Sequence, residues 1–164
     1  MEIEPDDFRR VLGHLPTGVT VLTAFGPDGP VGMAANSVTS VSLAPPLVLV
    51  CPAKSSATWP AIRAAGRFCI NVMAGHHEAT ARRFAALEVD RFAGSTLHDR
   101  HAGPALDDAI AWLDVELDAE HDAGDHTIAV CRVLALEAAA GVESELPPLV
   151  FFRGRYGTFG QSSS

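Results

Sequence analysis

The chain has 164 residues, 48% hydrophobic and 20% charged, with a formal net charge of −8. That length and balance fit one soluble globular domain, with an ordered core expected over about residues 5–158 and a polar tail over 159–164. The acid excess excludes a broad basic face for nucleic acid, no apolar run is long enough to cross a membrane as a helix, and the acidic start, Met1 to Asp7, is unlike a secretory signal.

The three cysteines, Cys51, Cys69 and Cys131, each sit in an apolar run. An odd count without C-x-x-C spacing argues against a disulfide framework or a zinc knuckle and points to reduced, buried thiols in a cytoplasmic protein.

Residues 5–14 predict a helix: Pro5 suits a first turn, Asp6 and Asp7 suit the positive end of the dipole, and Phe8, Val11, Leu12 and Leu15 form one stripe expected to be buried. Thr17 to Phe25 is β-branched and apolar, a strand. Gly26-Pro27-Asp28-Gly29-Pro30 is a turn, and the strand beginning at Val31 makes a hairpin with the one before it. Ala34 to Ser42 reads as a strand rich in small and hydroxyl side chains, leading through Pro45-Pro46 into the apolar strand Leu47 to Cys51.

Thr58 opens a short helix stopped near Gly66, Arg67 to Met73 is a mostly buried strand, and Glu78 to Leu87 is a helix. Residues 88–108 read as a long irregular surface segment. From Trp112 to Glu120, Leu113, Val115, Leu117 and Ala119 alternate with Asp114, Glu116, Asp118 and Glu120, which predicts a strand with one buried face and one wet, acidic face. His121 to His126 connects it to an antiparallel partner, Thr127 to Glu137, and Leu149 to Phe152 is a last short strand. About seven strands and three helices favour a mostly antiparallel barrel with helices at its ends.

Two segments carry the chemistry. The small side chains of Ala34-Ala35-Asn36-Ser37 let a flat ring approach backbone amides, which are the neutral donors that a flavin's polar edge requires. Lys54-Ser55-Ser56-Ala57-Thr58 offers hydroxyls, amides and a cation for a phosphate. The plainer account is that these hydroxyls cap a helix and decorate a strand; it is their conjunction at this separation that points to flavin mononucleotide. Gly124-Asp125-His126 is a hairpin connection on turn chemistry, or else an imidazole at the mouth of a ligand pocket. His98 and His101, with His121, Asp122, Asp125 and His126, raise metal binding as an alternative, but no helix sets the first pair on one face and no metal site is assigned. There is no G-x-S-x-G elbow and no dinucleotide fingerprint, and the apolar setting of Cys51 argues against a nucleophile.

Taken in order, these pieces resemble the short-chain flavin reductase family, the reductase partners of two-component flavin-dependent monooxygenases. The resemblance runs from Phe8 to Tyr156. It is carried by Phe8-Arg9-Arg10-Val11-Leu12 with Pro16-Thr17-Gly18-Val19, Gly32-Met33-Ala34-Ala35-Asn36-Ser37-Val38-Thr39-Ser40-Val41-Ser42, Pro45-Pro46-Leu47-Val48, Ser55-Ser56-Ala57-Thr58, Phe68-Cys69-Ile70-Asn71-Val72, Arg83-Phe84, Gly124-Asp125-His126 and Pro148-Leu149-Val150-Phe151-Phe152-Arg153-Gly154-Arg155-Tyr156. It implies an FMN-binding split β-barrel of Greek-key, mostly antiparallel topology, assembled as a homodimer. It also implies reduction of FMN or FAD by hydride transfer from NADH or NADPH to flavin N5, with reduced flavin passing to a monooxygenase. A carrier or sensor of flavin or haem on the same barrel, without turnover, is the alternative.

The resemblance further implies that Thr17, Ala34, Ala35, Asn36, Ser37, Val38, Ser40 and Val41 line the ring and ribityl chain. It assigns Cys51, Lys54, Ser55, Ser56 and Thr58 to the ribityl and phosphate, adds Arg83, Phe84 and Tyr156 to the cofactor site, and sets His126 beside the nicotinamide. Ala34-Ala35 departs from the family, where a threonine or similar polar residue is common.

Overall fold

A computed structural model describes residues 3–141 and 145–160. The predicted tail beyond residue 160 lies outside the described residues. In chain order the elements are α1 (Pro5–Leu12), β1 (Thr17–Gly18), β2 (Thr20–Gly26), β3 (Gly29–Ala35), β4 (Thr39–Leu43), β5 (Pro46–Val50), α2 (Trp59–Ala65), β6 (Arg67–Val72), a 3-10 turn (Gly75–His77), α3 (Glu78–Ala85), β7 (Leu97–Asp99), β8 (Pro104–Leu106), β9 (Ala111–Ala123), β10 (His126–Ala138), β11 (Leu149–Phe152) and β12 (Arg155–Thr158).

Seven strands form one sheet in the order β3-β2-β6-β9-β10-β5-β4, and every pairing in it is antiparallel. Its two edges, β3 and β4, are consecutive in the chain and joined only by residues 36–38. A flat sheet of this width would hold its edge strands about 29 Å apart. The link from Ala35 to Thr39 spans at most about 14 Å. The sheet therefore curls until its edges approach, giving the split barrel expected from the sequence. A three-stranded sheet, β1-β11-β12, and the hairpin β7-β8 lie beside it.

The alternation of side chains on β2 and β6 feeds two cores. Leu22, Phe68 and Ile70 point into the barrel with Val48, Val50, Ile62, Val115 and Cys131. Val21 and Cys69 point to the other face, packed with Met73, Ala81, Phe84, Leu106 and Trp112. Burial on both faces is why these strands read as nearly continuous apolar runs. Asn71 sits fully buried between β2 and β8, donating to Val21 O and Thr23 Oγ1 at 2.9 Å and accepting the Leu106 amide at 2.8 Å, so its burial leaves no side-chain atom unpaired.

Six expectations need correction. The segment 17–25 is two strands, β1 paired with β11 and β2 in the seven-stranded sheet, and Leu149–Phe152 is not the last strand, since β12 follows and pairs with it. The segment 34–42 is two strands, because residues 36–38 turn the chain from one barrel edge to the other. Residues 88–108 are not wholly irregular: they contain β7 and β8, and Ala102, Ala105 and Leu106 are buried. The acidic face of β9 is a ladder of ion pairs, Asp114 to Arg100 (3.1 Å), Glu116 to Arg67 (3.0 Å), Asp118 to Arg132 (2.7 Å) and Glu120 to Arg63, and Asp114 is buried. Its alternation is broken where Leu117 pairs with Cys131 and Ala119 with Val130, so Asp118 bulges and Glu120 turns toward α2. Finally, the stripe on α1 is uncovered: Phe8, Val11, Leu12 and Leu15 are all exposed, and no described element of the chain packs over them.

Candidate functional site

Strand β3 is the edge along which the site is built. One cavity, of about 180 Å³, lies at its end, lined by Val19, Ala34, Ala35, Asn36, Ala85, Phe151 and Tyr156. A second, of about 340 Å³, lies further back along the same strand and is lined by Val31, Gly32, Ala57, Thr58, Val89, Asp90, Arg91 and Phe92 among others. The chain running from α3 through residues 86–92 flanks both. It seats against β3 through Phe84 and Phe92, whose rings meet edge-to-face at 5.0 Å. A Cβ on Gly32 would lie 2.8 Å from Phe84 and 3.1 Å from Phe92, so glycine is needed for that approach.

The structure brings Ala34, Ala35, Asn36 and Tyr156 together around the smaller cavity. Tyr156 stands edge-to-face with Phe151 at 5.2 Å and lies under the Arg82 guanidinium at 4.7 Å. Ser37, in the link between the edge strands, accepts a 2.9 Å hydrogen bond from the Cys51 amide. Val38 packs against the barrel core. Ser40 pairs with Val48, and Val41 is the extra residue of a bulge in β4, half exposed. Thr17, on β1, has a buried hydroxyl with no hydrogen-bond partner among the described residues.

The phosphate-loop residues divide. Thr58 lines the larger cavity, and its hydroxyl accepts from Arg91. Ser56 accepts the amides of Thr58 (3.3 Å) and Trp59 (3.1 Å), so it caps the start of α2, as the plainer reading of the sequence held. Ser55 is exposed. Lys54 turns away to pair with Asp122 and lines a separate groove with Trp59, Arg63, Glu120 and His121. Arg83 donates to Arg91 O (3.1 Å) and Ser95 Oγ (3.4 Å), and Phe84 is a core side chain beneath Gly32.

His126 stands where the β9–β10 hairpin meets the loop. It bridges to Ala53, while the Lys54 amide donates to Asp125 O at 2.9 Å and the Thr127 amide to Pro52 O at 3.0 Å. Its Nδ1 lies 2.8 Å from Asp125 Oδ1, and that hydrogen bond holds the Asp125 carboxyl below its ordinary range. Burial pushes the Cys51 thiol up, which disfavours a reactive thiolate.

Sequence reasoning missed Arg91, because it sits in a stretch without periodicity. Its only signal was a basic residue next to Phe92 shortly after the Arg83-Phe84 pair. The histidines considered for metal do not gather: His98 pairs with Asp107, His101 with Arg67 and His126 with Asp125. His76, His77 and Asp108 do come together. The Nδ1 of His77, however, accepts the Ala74 amide at 3.0 Å. Its Nε2 therefore carries the proton and faces Asp108 at 2.8 Å, a close pair but not an aligned hydrogen bond. Neither nitrogen has a lone pair to offer a metal. No described helix is long and apolar enough to cross a membrane.

Comparison with known proteins matches residues 12–160 to the flavin reductase like domain. A flavin reductase of Pseudomonas putida is 44% identical over 159 residues, covering 96% of this chain and 91% of that protein. The reductase subunit HsaB of a flavin-dependent monooxygenase from Rhodococcus jostii is 43% identical over 155 residues, covering 94% of this chain and 77% of that protein. Among solved structures, the NADH:FAD oxidoreductase of Streptomyces globisporus, in complex with NAD and FAD fragments, superposes with a TM-score of 0.89 at 34% identity, covering 100% of this chain and 99% of that one.

Proposed function

The chain belongs to the flavin reductase like family, and from that premise we propose that it is an NAD(P)H-dependent flavin reductase that reduces FMN or FAD and supplies reduced flavin to a partner monooxygenase. The observation that carries the reading is the conjunction along β3: a cavity of small side chains at Ala34–Asn36, and a hydroxyl and a guanidinium at Thr58 and Arg91 further along the same edge. A planar ring fits the first and an anionic group the second, so the residues present suit a phosphorylated flavin.

When bound, the flavin supplies the hydride acceptor and the nicotinamide supplies the donor. The work left to the chain is positional. Ala34 and Ala35 add no bulk above the β3 backbone, so a ring can lie against it. Asn36 and the backbone amides around it face developing negative charge on the ring, where fixed donors stabilise a reduced product. Ser37, tied to Cys51, holds that end of the cavity to the loop that carries Thr58. His126, fixed to the same loop through the bridge at Ala53, stands where it can orient the nicotinamide amide. No general acid or base is required for a hydride step, which accounts for the absence of an acid–base pair among these side chains. The alignment of donor and acceptor at roughly 3 to 3.5 Å is the catalytic contribution.

A homodimer belongs to the same reading. The stripe of α1 is exposed, as are Phe152 and Phe159, and a groove of about 400 Å³ is lined by Pro16, Val150, Phe152, Tyr156 and Phe159. A second copy covering this face would remove from water an apolar surface that monomers seldom expose. The test of function is NADH and NADPH consumption with excess FMN or FAD: turnover far beyond the amount of protein supports a reductase that treats flavin as a substrate, and no consumption with any pairing overturns it.

A further inference from the structure

Tyr156 separates two spaces. It lines the cavity of about 180 Å³ at the end of β3 and also the groove of about 400 Å³ beside Phe152 and Phe159, and among the described residues no other lines both. It stands on β12, the outer strand of the three-stranded sheet, and is the one residue of that strand that is not exposed.

A dry cavity of about 150 Å³ takes one benzene ring. Three fused rings therefore enter the cavity of about 180 Å³ only in part, and one wall must move before the whole ring system lies along Ala34–Asn36. The walls differ in their freedom. Val19 is buried in the core, and Ala34 and Ala35 are paired with Val21 and Thr20 inside the seven-stranded sheet. Ala85 follows the buried Phe84 at the end of α3. Phe151 sits between two strands, paired with Thr17 on one side and Tyr156 on the other. Tyr156 has a neighbouring strand on one side only and borders a void on two.

A short chain of side chains holds the ring in place. The Arg82 guanidinium lies over it, 4.7 Å from its centroid. Arg82 is set in turn by Glu78, one turn earlier on α3: its Nε and Nη2 both meet one carboxylate oxygen, at 2.9 and 2.8 Å. A cation over an aromatic face is attracted to it, and at an exposed site such as this one the contact is weak enough to break and re-form readily.

We propose that Tyr156 is a gate on the ring site. In the free protein the Glu78–Arg82 pair holds it shut, and it turns away from Ala34–Asn36, toward the groove, before the flavin ring system is seated. The proposal rests on the flavin reading above. A reductase that uses flavin as a substrate admits and releases it in every turnover, so the rate of this turn sets a ceiling on flavin exchange.

The experiment mixes the full chain with increasing FMN, without nicotinamide, and follows the flavin's fluorescence by stopped flow. In the wild-type protein the observed rate rises to a plateau, the rate at which the gate opens. Arg82→Gln raises that plateau about twofold to fivefold, the range for an exposed cation–π contact, and Glu78→Gln moves it in the same direction. Tyr156→Ala abolishes the plateau, and its rate stays proportional to FMN. A wild-type rate that is itself proportional to FMN throughout, or a plateau unmoved in Arg82→Gln, overturns the gate and leaves the reductase reading standing. If FMN does not bind at all, both fall. The wild-type curve and the two substitutions on the exposed side of α3 decide the matter even if Tyr156→Ala does not fold.

Discussion

The Ser37 hydroxyl accepts the Cys51 amide at 2.9 Å, and that bond ties the link between the two barrel edges to the loop that carries Ser55, Ser56 and Thr58. Ser37→Ala leaves the amide without this partner, at a cost of about 1–3 kcal/mol. A lower denaturation midpoint and weaker FMN binding are expected together. A variant with wild-type stability and affinity would show that the two halves of the site are registered by something else.

Ser56 and Ser55 separate capping from ligand binding. Ser56→Ala removes the acceptor for the Thr58 and Trp59 amides and should cost about 1 kcal/mol of stability, as lost helix caps do. It should also weaken flavin binding through the displaced loop. Ser55 is exposed, so Ser55→Ala should lower FMN affinity while leaving the thermal midpoint unchanged. Paired thermal melts and flavin titrations check both.

His126→Ala should raise the KM for NADH about tenfold, the loss of one hydrogen bond of about 1.4 kcal/mol, and leave the KM for FMN nearly unchanged. The Asp125 carboxyl is held below its ordinary range by His126, so its charge persists below the usual carboxylate pKa and is lost only as pH falls through the lower folded value. Asp125 therefore contributes no change in NADH affinity between pH 6 and 8, roughly, and a pH series on Asp125→Asn tests this.

Burial pushes the Cys69 and Cys131 thiols up to about 12 from an ordinary 9.0. For a raised pKa the contribution to stability is complete below the unfolded value and lost as pH rises through the folded one. The protein should thus lose stability between pH 9 and 12, and Cys69→Ala or Cys131→Ala should flatten that slope while lowering stability at neutral pH. Thermal melts across that window measure it.

Much of the barrel was legible because its strands are short and their punctuation is strong. The turn at Gly26–Gly29 and the helix stop at Gly66, with φ 72°, both lie where the residues place them. What escaped depends on partners distant in sequence. Asp114 alternates like a solvent-facing residue, and only the arrival of Arg100 from the β7–β8 hairpin allows it to be buried. The stripe on α1 has a clear helical period, but periodicity cannot say whether the cover comes from the same chain. Of the residues lining the two cavities along β3, Ala34–Asn36 stood out by side-chain size and Thr58 by its place before a helix. Arg91 did not, since nothing local distinguishes a cation that lacks a carboxylate from one that has one.

The most direct test of the account is anaerobic stopped-flow mixing of the purified protein with NADH and excess FMN, following the flavin's visible absorbance. The account predicts rapid bleaching that continues through many equivalents of FMN per protein. Flavin that binds and stays oxidised would contradict it and leave a flavin-binding barrel without reductase activity.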